Sequence, residues 1–70
     1  MKTFDKYKQN LKYTYGDKGL EIYSYGNLVA YYDEKIDPNA LIQPKYYSVT
    51  TQKHINYAAK YFNFKLIKSF

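Results

Sequence analysis

Residues 45–62 read KYYSVTTQKHINYAAKYF, and the reading of this stretch decides the fold. Lys45 to Val49 is strand-like, with tyrosine and valine interleaved. At Thr50 and Thr51 the character changes. Either hydroxyl suits the N-cap of a helix, where a side-chain oxygen accepts a backbone N–H of the first turn. Ile55, Ala58, Ala59 and Phe62 then fall at i, i+3, i+4 and i+7, a single helical stripe. Two alanines in that stripe allow the helix to lie close against a sheet. Gln52, Lys53, Asn56, Lys60 and Asn63 take the opposite side. Asn63 can close the helix in the left-handed conformation, and FKLIKSF, residues 64–70, reads as a closing strand.

Toward the N-terminus the period changes to two. Leu11, Tyr13 and Tyr15 alternate with Lys12 and Thr14. Leu20 and Ile22 alternate with Glu21, Tyr23 and Tyr25. Leu28, Ala30 and Tyr32 alternate with Val29 and Tyr31. Between the first two runs, Asp17-Lys18 suits a tight turn and Gly19 the positive φ that follows it. Gly26-Asn27 is a two-residue hairpin signal between the second and third. Residues 34–44, EKIDPNALIQP, break the pattern: Asp37-Pro38-Asn39 is turn chemistry, and Pro44 keeps Gln43 out of helical geometry. Ile36, Leu41 and Ile42 are expected to pin this connection to the core. Residues 1–10 are expected to form an arm or a single turn, with a short helix through Phe4, Tyr7 and Leu11 as the alternative.

The resulting expectation is one α+β domain over residues 1–70. It consists of an antiparallel meander of four to five strands carrying one helix, in the order β-β-β-β-α-β. Seventy residues lie near the lower size at which a single apolar core suffices. There is no internal repeat, low-complexity tract or interdomain linker.

Charge is unevenly distributed. The net charge is +5, made up of +3 over residues 1–20, −3 over residues 21–44 and +5 over residues 45–70. The last section contains Lys45, Lys53, Lys60, Lys65 and Lys68 and no acid. A basic section free of acids is the electrostatic footprint expected of a protein that meets nucleic acid or an acidic protein surface. All eleven basic residues are lysine. Lysine lacks the planar fork that reads guanine, so backbone contact is expected rather than sequence readout. Lysine, tyrosine and asparagine also have A/T-rich codons, so a low-GC genome would produce much of the same bias.

The chain contains no cysteine, which leaves no disulfide, thiolate metal site or cysteine nucleophile and suits a reducing compartment. The first ten residues lack the apolar core of a signal peptide, and no apolar run is long enough to cross a membrane. The expected location is the cytosol, with no membrane partner. One histidine, no glycine-rich phosphate loop and no metal-ligand spacing argue against an enzyme and against any cofactor. Ser48 and His54 would need an acid from another strand to form a hydrolase set.

Three places carry candidate binding residues. The first is the corner where the helix starts: Thr50, Thr51, Lys53 and His54, with Lys45, Tyr47 and Ser48 leading in, could hold a phosphate or carboxylate at the helix N-terminus. A simple cap with His54 covering the adjacent apolar surface would look the same. The second is a tyrosine display, Tyr23 and Tyr25 on one strand face with Tyr31 across the hairpin. Aromatics on an open sheet face stack single-stranded bases in several modules and also anchor protein interfaces. The third is the outer helix face, with Gln52, Lys53, Asn56 and Lys60 beside Tyr57, suited to a phosphate backbone and equally to plain solvation.

The pattern Tyr47-Ser48-x-Thr50-Thr51-x-x-His54-x-Asn56, with Tyr23-Ser24-Tyr25 leading to Ala30 upstream, resembles a family of small phage and prophage proteins of unknown function. The resemblance covers about half the chain. It implies a bacteriophage gene product acting inside the host cell and carries no activity with it. Three functions are therefore expected in order: a nucleic-acid or nucleoprotein binder, an inhibitor that covers a host enzyme or defence complex, and a structural piece that forms a homodimer.

Overall fold

Ser48, not either threonine, starts the helix. In the computed structural model, which describes residues 1–70, Ser48 is extended at φ −161° and ψ 168° and precedes helix α1, Val49–Tyr61. Its Oγ accepts the Thr51 N–H at 3.1 Å, and its carbonyl accepts the Gln52 N–H at 2.8 Å. Three hydroxyl residues compete at this corner, and the one with extended backbone takes the cap. At the other end Asn63 is left-handed, φ 60°. The Asn63 N–H donates to the Lys60 carbonyl at 3.0 Å and the Phe64 N–H to the Ala59 carbonyl at 2.8 Å, the paired bonds of a Schellman closure.

Six strands form one open sheet: β1 Lys2–Thr3, β2 Leu11–Gly16, β3 Gly19–Ser24, β4 Asn27–Tyr32, β5 Ala40–Gln43 and β6 Lys65–Lys68. Spatial order equals chain order, and every pair is antiparallel except β5 with β6, which α1 joins as a parallel crossover. The fold is α+β, a mostly antiparallel sheet with a single helix, in the order β-β-β-β-β-α-β.

The strand expected at Lys45–Val49 lies earlier, at Ala40–Gln43, and residues 45–48 are an irregular connection into the helix. All four residues of β5, which runs between β4 and β6, are buried, so both of its faces are out of solvent. A strand buried on both sides has no alternation to read. Leu41 and Ile42 do anchor this region, whereas Ile36 is 55% exposed and does not. Residues 1–10 contain the single turn expected there rather than the alternative helix, and the segment packs on the domain. After β1, Phe4 is buried, and the Tyr7 carbonyl then accepts the N–H groups of Asn10 and Leu11 in a turn with Tyr7 at φ 55°.

The second hairpin turns one residue earlier than Gly26-Asn27. Ser24 pairs with Asn27, and the tip residues Tyr25 and Gly26 have φ of 52° and 81°. A two-residue tip with both φ values positive matches the twist of the flanking strands. The register then slips between Ile22 and Tyr23, where Ile22 faces Ala30 but Tyr23 faces Leu28, leaving Val29 as a bulge. The slip reverses the expected facing of the first residue of this run. Leu28 points outward at 44% exposure, while Val29 and Ala30 are both buried.

One face of the sheet carries the core. Leu11, Leu20, Ile22, Ala30 and Leu41 meet Ile55, Ala58 and Ala59 of α1, with Phe4 and Val29 completing the cluster. The alanine stripe read from the sequence is thus the packed face of the helix, and Phe62 is half-buried against the same cluster.

Candidate nucleic-acid interface

Ser24, the last residue of β3, faces inward in register with Leu20 and Ile22, because alternate residues of a strand share a face. This brings it under the first turns of α1. The Ser24 hydroxyl lies 2.8 Å from His54 Nδ1 and 3.2 Å from Thr51 Oγ1. All three residues are at most 6% exposed. The rings of Tyr7 and Tyr25 cover His54, with centroids 4.7 and 5.5 Å from the imidazole. Burial lowers the His54 pKa below its ordinary value, since a charged imidazole would be desolvated there. Thr51 and His54 are therefore turned into the protein. They join helix to sheet, and the phosphate-holding corner expected at Thr50–His54 is split between an inner and an outer side.

The outer side holds Thr50, Lys53, Asn56 and Lys60, all exposed, with Tyr57 half-buried. Lys53 and Lys60 are seven residues apart, which puts them on one stripe about 10 Å apart. The helix sequence contains no carboxylate. The N-terminal arm lies along one flank of the helix. Phe4 makes edge contacts with Tyr57 and Tyr61, centroids 5.7 and 5.0 Å away, and Tyr7 meets Tyr57 at 5.6 Å. Lys6 Nζ sits 5.5 Å from the centroid of the Tyr7 ring, so the arm adds a cation beside the helix. Asp5 is the acid on this side, and its charge is the main cause that raises the Tyr61 pKa. Lys6, Tyr7 and Tyr61 were not among the candidate binding residues read from the sequence. The signal was present in KTFDKYK, where Phe4 and Tyr7 are too apolar for a free tail.

The tyrosine display divides between the two faces of the sheet. Tyr23 and Tyr31 share the helix-free face, where Tyr23 pairs with Lys12 and Leu28, and Tyr31 pairs with Glu21 and Ile42. Tyr25 does not join them, because its left-handed backbone at the hairpin tip carries its ring over to His54. Between Tyr23 and Tyr31 stands Glu21, whose carboxylate accepts the Tyr23 hydroxyl at 3.1 Å. That hydrogen bond is the main cause that raises the Tyr23 pKa. A carboxylate at the centre of this face opposes a phosphate chain laid across it.

Lys45 and Tyr47 lie in the connection before the helix, with the Lys45 ammonium 5.4 Å from the Tyr47 ring centroid. The Tyr47 hydroxyl reaches the Leu28 carbonyl at 3.5 Å, and burial raises its pKa. Behind them Gln43 is fully buried and exchanges two amide hydrogen bonds with Gln52, at 2.8 and 2.9 Å. The free edges of the sheet are β1 and β6. Lys2, Lys65 and Lys68 are exposed there, and edge lysines oppose sheet-to-sheet pairing. Lys65 is partly neutralised by Asp37 at 2.9 Å. The Asp37 pKa is lowered first by the backbone N–H of Asn39 and then by this lysine.

These features define a class: a small two-layer α+β domain with one cationic, aromatic-flanked helix face and one mixed open sheet face. The chain belongs to a family of unknown function, DUF8033, matched over residues 2–68. No curated protein and no solved structure matches it. No helix is long and apolar enough to cross a membrane.

Proposed function

We propose that this protein is a small non-enzymatic binding module that docks on the phosphate backbone of a nucleic acid or nucleoprotein through its helix layer. The observation that carries this reading is the stripe of Lys53 and Lys60 on a helix without carboxylates, reinforced by Lys6 on the packed arm. The helix N-terminus has no acidic residue in its first turn, so the positive end of its dipole adds to the same field. Sequence readout is not part of the proposal, because no arginine is present. The resemblance through Tyr47, Ser48, Thr50, Thr51, His54 and Asn56 supports a bacteriophage origin and action in the host cytosol. A fluorescence titration of labelled single- and double-stranded oligonucleotides at about 50 and 200 mM salt tests the reading. Backbone binding weakens steeply over that interval, and no binding at the lower salt would end it.

A second reading is favoured by the open sheet face, where exposed Leu28 stands beside Tyr23 and Tyr31. There the protein would occlude the surface of a host enzyme or defence complex, with +5 net charge suited to an acidic target. Pull-down from host lysate separates the two. A partner retained after nuclease treatment favours occlusion, and a partner released by it favours nucleic acid.

A further inference from the structure

A shallow cleft of about 330 Å³ opens at one corner of the helix-free sheet face, away from the lysine stripe of α1. Its lining includes Gln9 and Asn10 from the arm, Lys12 and Tyr23 from the sheet, and Tyr25 and Gly26 from the hairpin tip. We infer that this cleft takes one unpaired nucleotide, with its base against the Tyr23 ring, its hydrogen-bonding edge toward Gln9 and Asn10, and its phosphate at Lys12. The inference deepens the nucleic-acid reading and rests on it only for the source of the ligand, a strand or a free nucleotide.

Six observations converge. The cleft has a fixed wall, because the Tyr25 N–H donates to the Asn10 carbonyl at 2.8 Å and ties the arm to the hairpin tip. Its cation is placed, since Lys12 Nζ lies 3.5 Å from the Lys8 carbonyl and Lys12 stands opposite Tyr23 in the β2–β3 register. The Tyr23 hydroxyl is committed to Glu21, so what Tyr23 offers a ligand is its ring. A ring face suits any base, because every base has a π-face. The side chains of Gln9 and Asn10 form no hydrogen bond within the chain, in contrast to Gln43, Gln52 and Asn56, which bond to one another. Each free amide has both donors and an acceptor, which is what the edge of a base requires. On the Gly26 side nothing lies within 4 Å of where a Cβ would stand, so the cleft is open to entry. Its size falls at the small end of the range for ligand sites, about 300–1,000 Å³.

The test is an NMR titration of the 15N-labelled full chain with nucleoside 5′-monophosphates, ribose 5-phosphate and a short single-stranded oligonucleotide. Saturable shifts are expected with the monophosphates at the backbone amides of Gln9, Asn10, Lys12, Tyr23 and Gly26 and at the side-chain amides of Gln9 and Asn10. Tyr23→Ala should weaken binding about fivefold or more, the effect of removing one stacking partner. Gln9→Ala, on the exposed arm, should weaken it while leaving the fold intact. Equal shifts with ribose 5-phosphate would overturn the inference, as would no shifts at millimolar monophosphate or shifts confined to α1. If the oligonucleotide reproduces the cleft shifts, the ligand is a strand; if only the monophosphates do, it is a free nucleotide. Lys53→Glu/Lys60→Glu should leave the monophosphate shifts unchanged. Failure of the helix reading with the cleft shifts retained is therefore distinct from failure of the cleft.

Discussion

The two faces of the sheet differ in what they do with polar residues. On the covered face, Ser24, Thr51 and His54 are buried, bonded to one another and roofed by Tyr7 and Tyr25. On the open face, Lys12, Glu21, Tyr23 and Tyr31 alternate in sign and character and remain partly in solvent. The covered face therefore specifies how helix and sheet fit together, and what stands outside it stays in contact with solvent. Of the residues in the motif read from the sequence, Ser24, Thr51 and His54 belong to the covered junction and Thr50 and Asn56 to the outer side of the helix. A short motif can thus mix residues that hold a fold with residues that face solvent.

Truncating the covered face should give the largest effect. Ile55→Ala removes a fully buried side chain between helix and sheet and should destabilise the protein by about 2–5 kcal/mol. For a domain of this size that approaches the whole stability, and urea denaturation would read it as a large drop in midpoint. A smaller destabilisation, about 1–3 kcal/mol, is expected for Ser24→Ala, which strips His54 Nδ1 of its partner in a buried setting. If the same assay shows Ser24→Ala to be neutral, the junction is not what joins the two layers.

Acid should act on the same junction. His54 titrates at its ordinary value near 6.5 in the unfolded chain and lower in the fold. The unfolded state therefore binds more protons between those two values. The His54 contribution is complete above about pH 6.5 and declines as pH falls through the lowered folded value. Thermal melts from about pH 7.5 to 5 should show this decline, and His54→Gln should flatten it. The smallest effect is expected on the open face. Leu28→Lys should change stability by no more than about 0.5 kcal/mol, because the bulge turns Leu28 to solvent. A core residue at that position would cost several times as much, so this variant tests the register directly.

The same contrast explains which parts of the fold were legible in the sequence. β2 and β3 each have one polar face, and their alternation shows it; α1 shows its alanine stripe for the same reason. β4 has no polar face after Asn27, and its bulge reverses the facing of Leu28. β5 escapes a sequence reading because Ala40–Gln43 is enclosed by neighbouring strands and carries no polar face to mark it. The hairpin tip differs from the expected one because Gly26-Asn27 is the better local turn, whereas partners distant in sequence hold Tyr25 in a left-handed conformation: its N–H on Asn10 and its ring on His54. β1 is two residues long and too short to leave a period. Of the candidate site, the outer stripe of Lys53, Asn56 and Lys60 follows from helical spacing. The partnership of Ser24 with His54, thirty residues apart, follows only from the register of β3 against the helix.

The central claim is that the helix layer meets a phosphate backbone, and the salt dependence of charge-reversal variants tests it most directly. The slope of log K against log salt should become shallower by roughly 0.7–0.9 for each phosphate that the protein no longer neutralises. Lys53→Glu/Lys60→Glu should therefore flatten the slope by about twice that amount, while Lys18→Glu, which lines a cleft with Glu21 and Tyr31 of the open sheet face, should leave it unchanged. Equal slopes for the wild-type chain and the helix variant, or an equal flattening by Lys18→Glu, would contradict the claim.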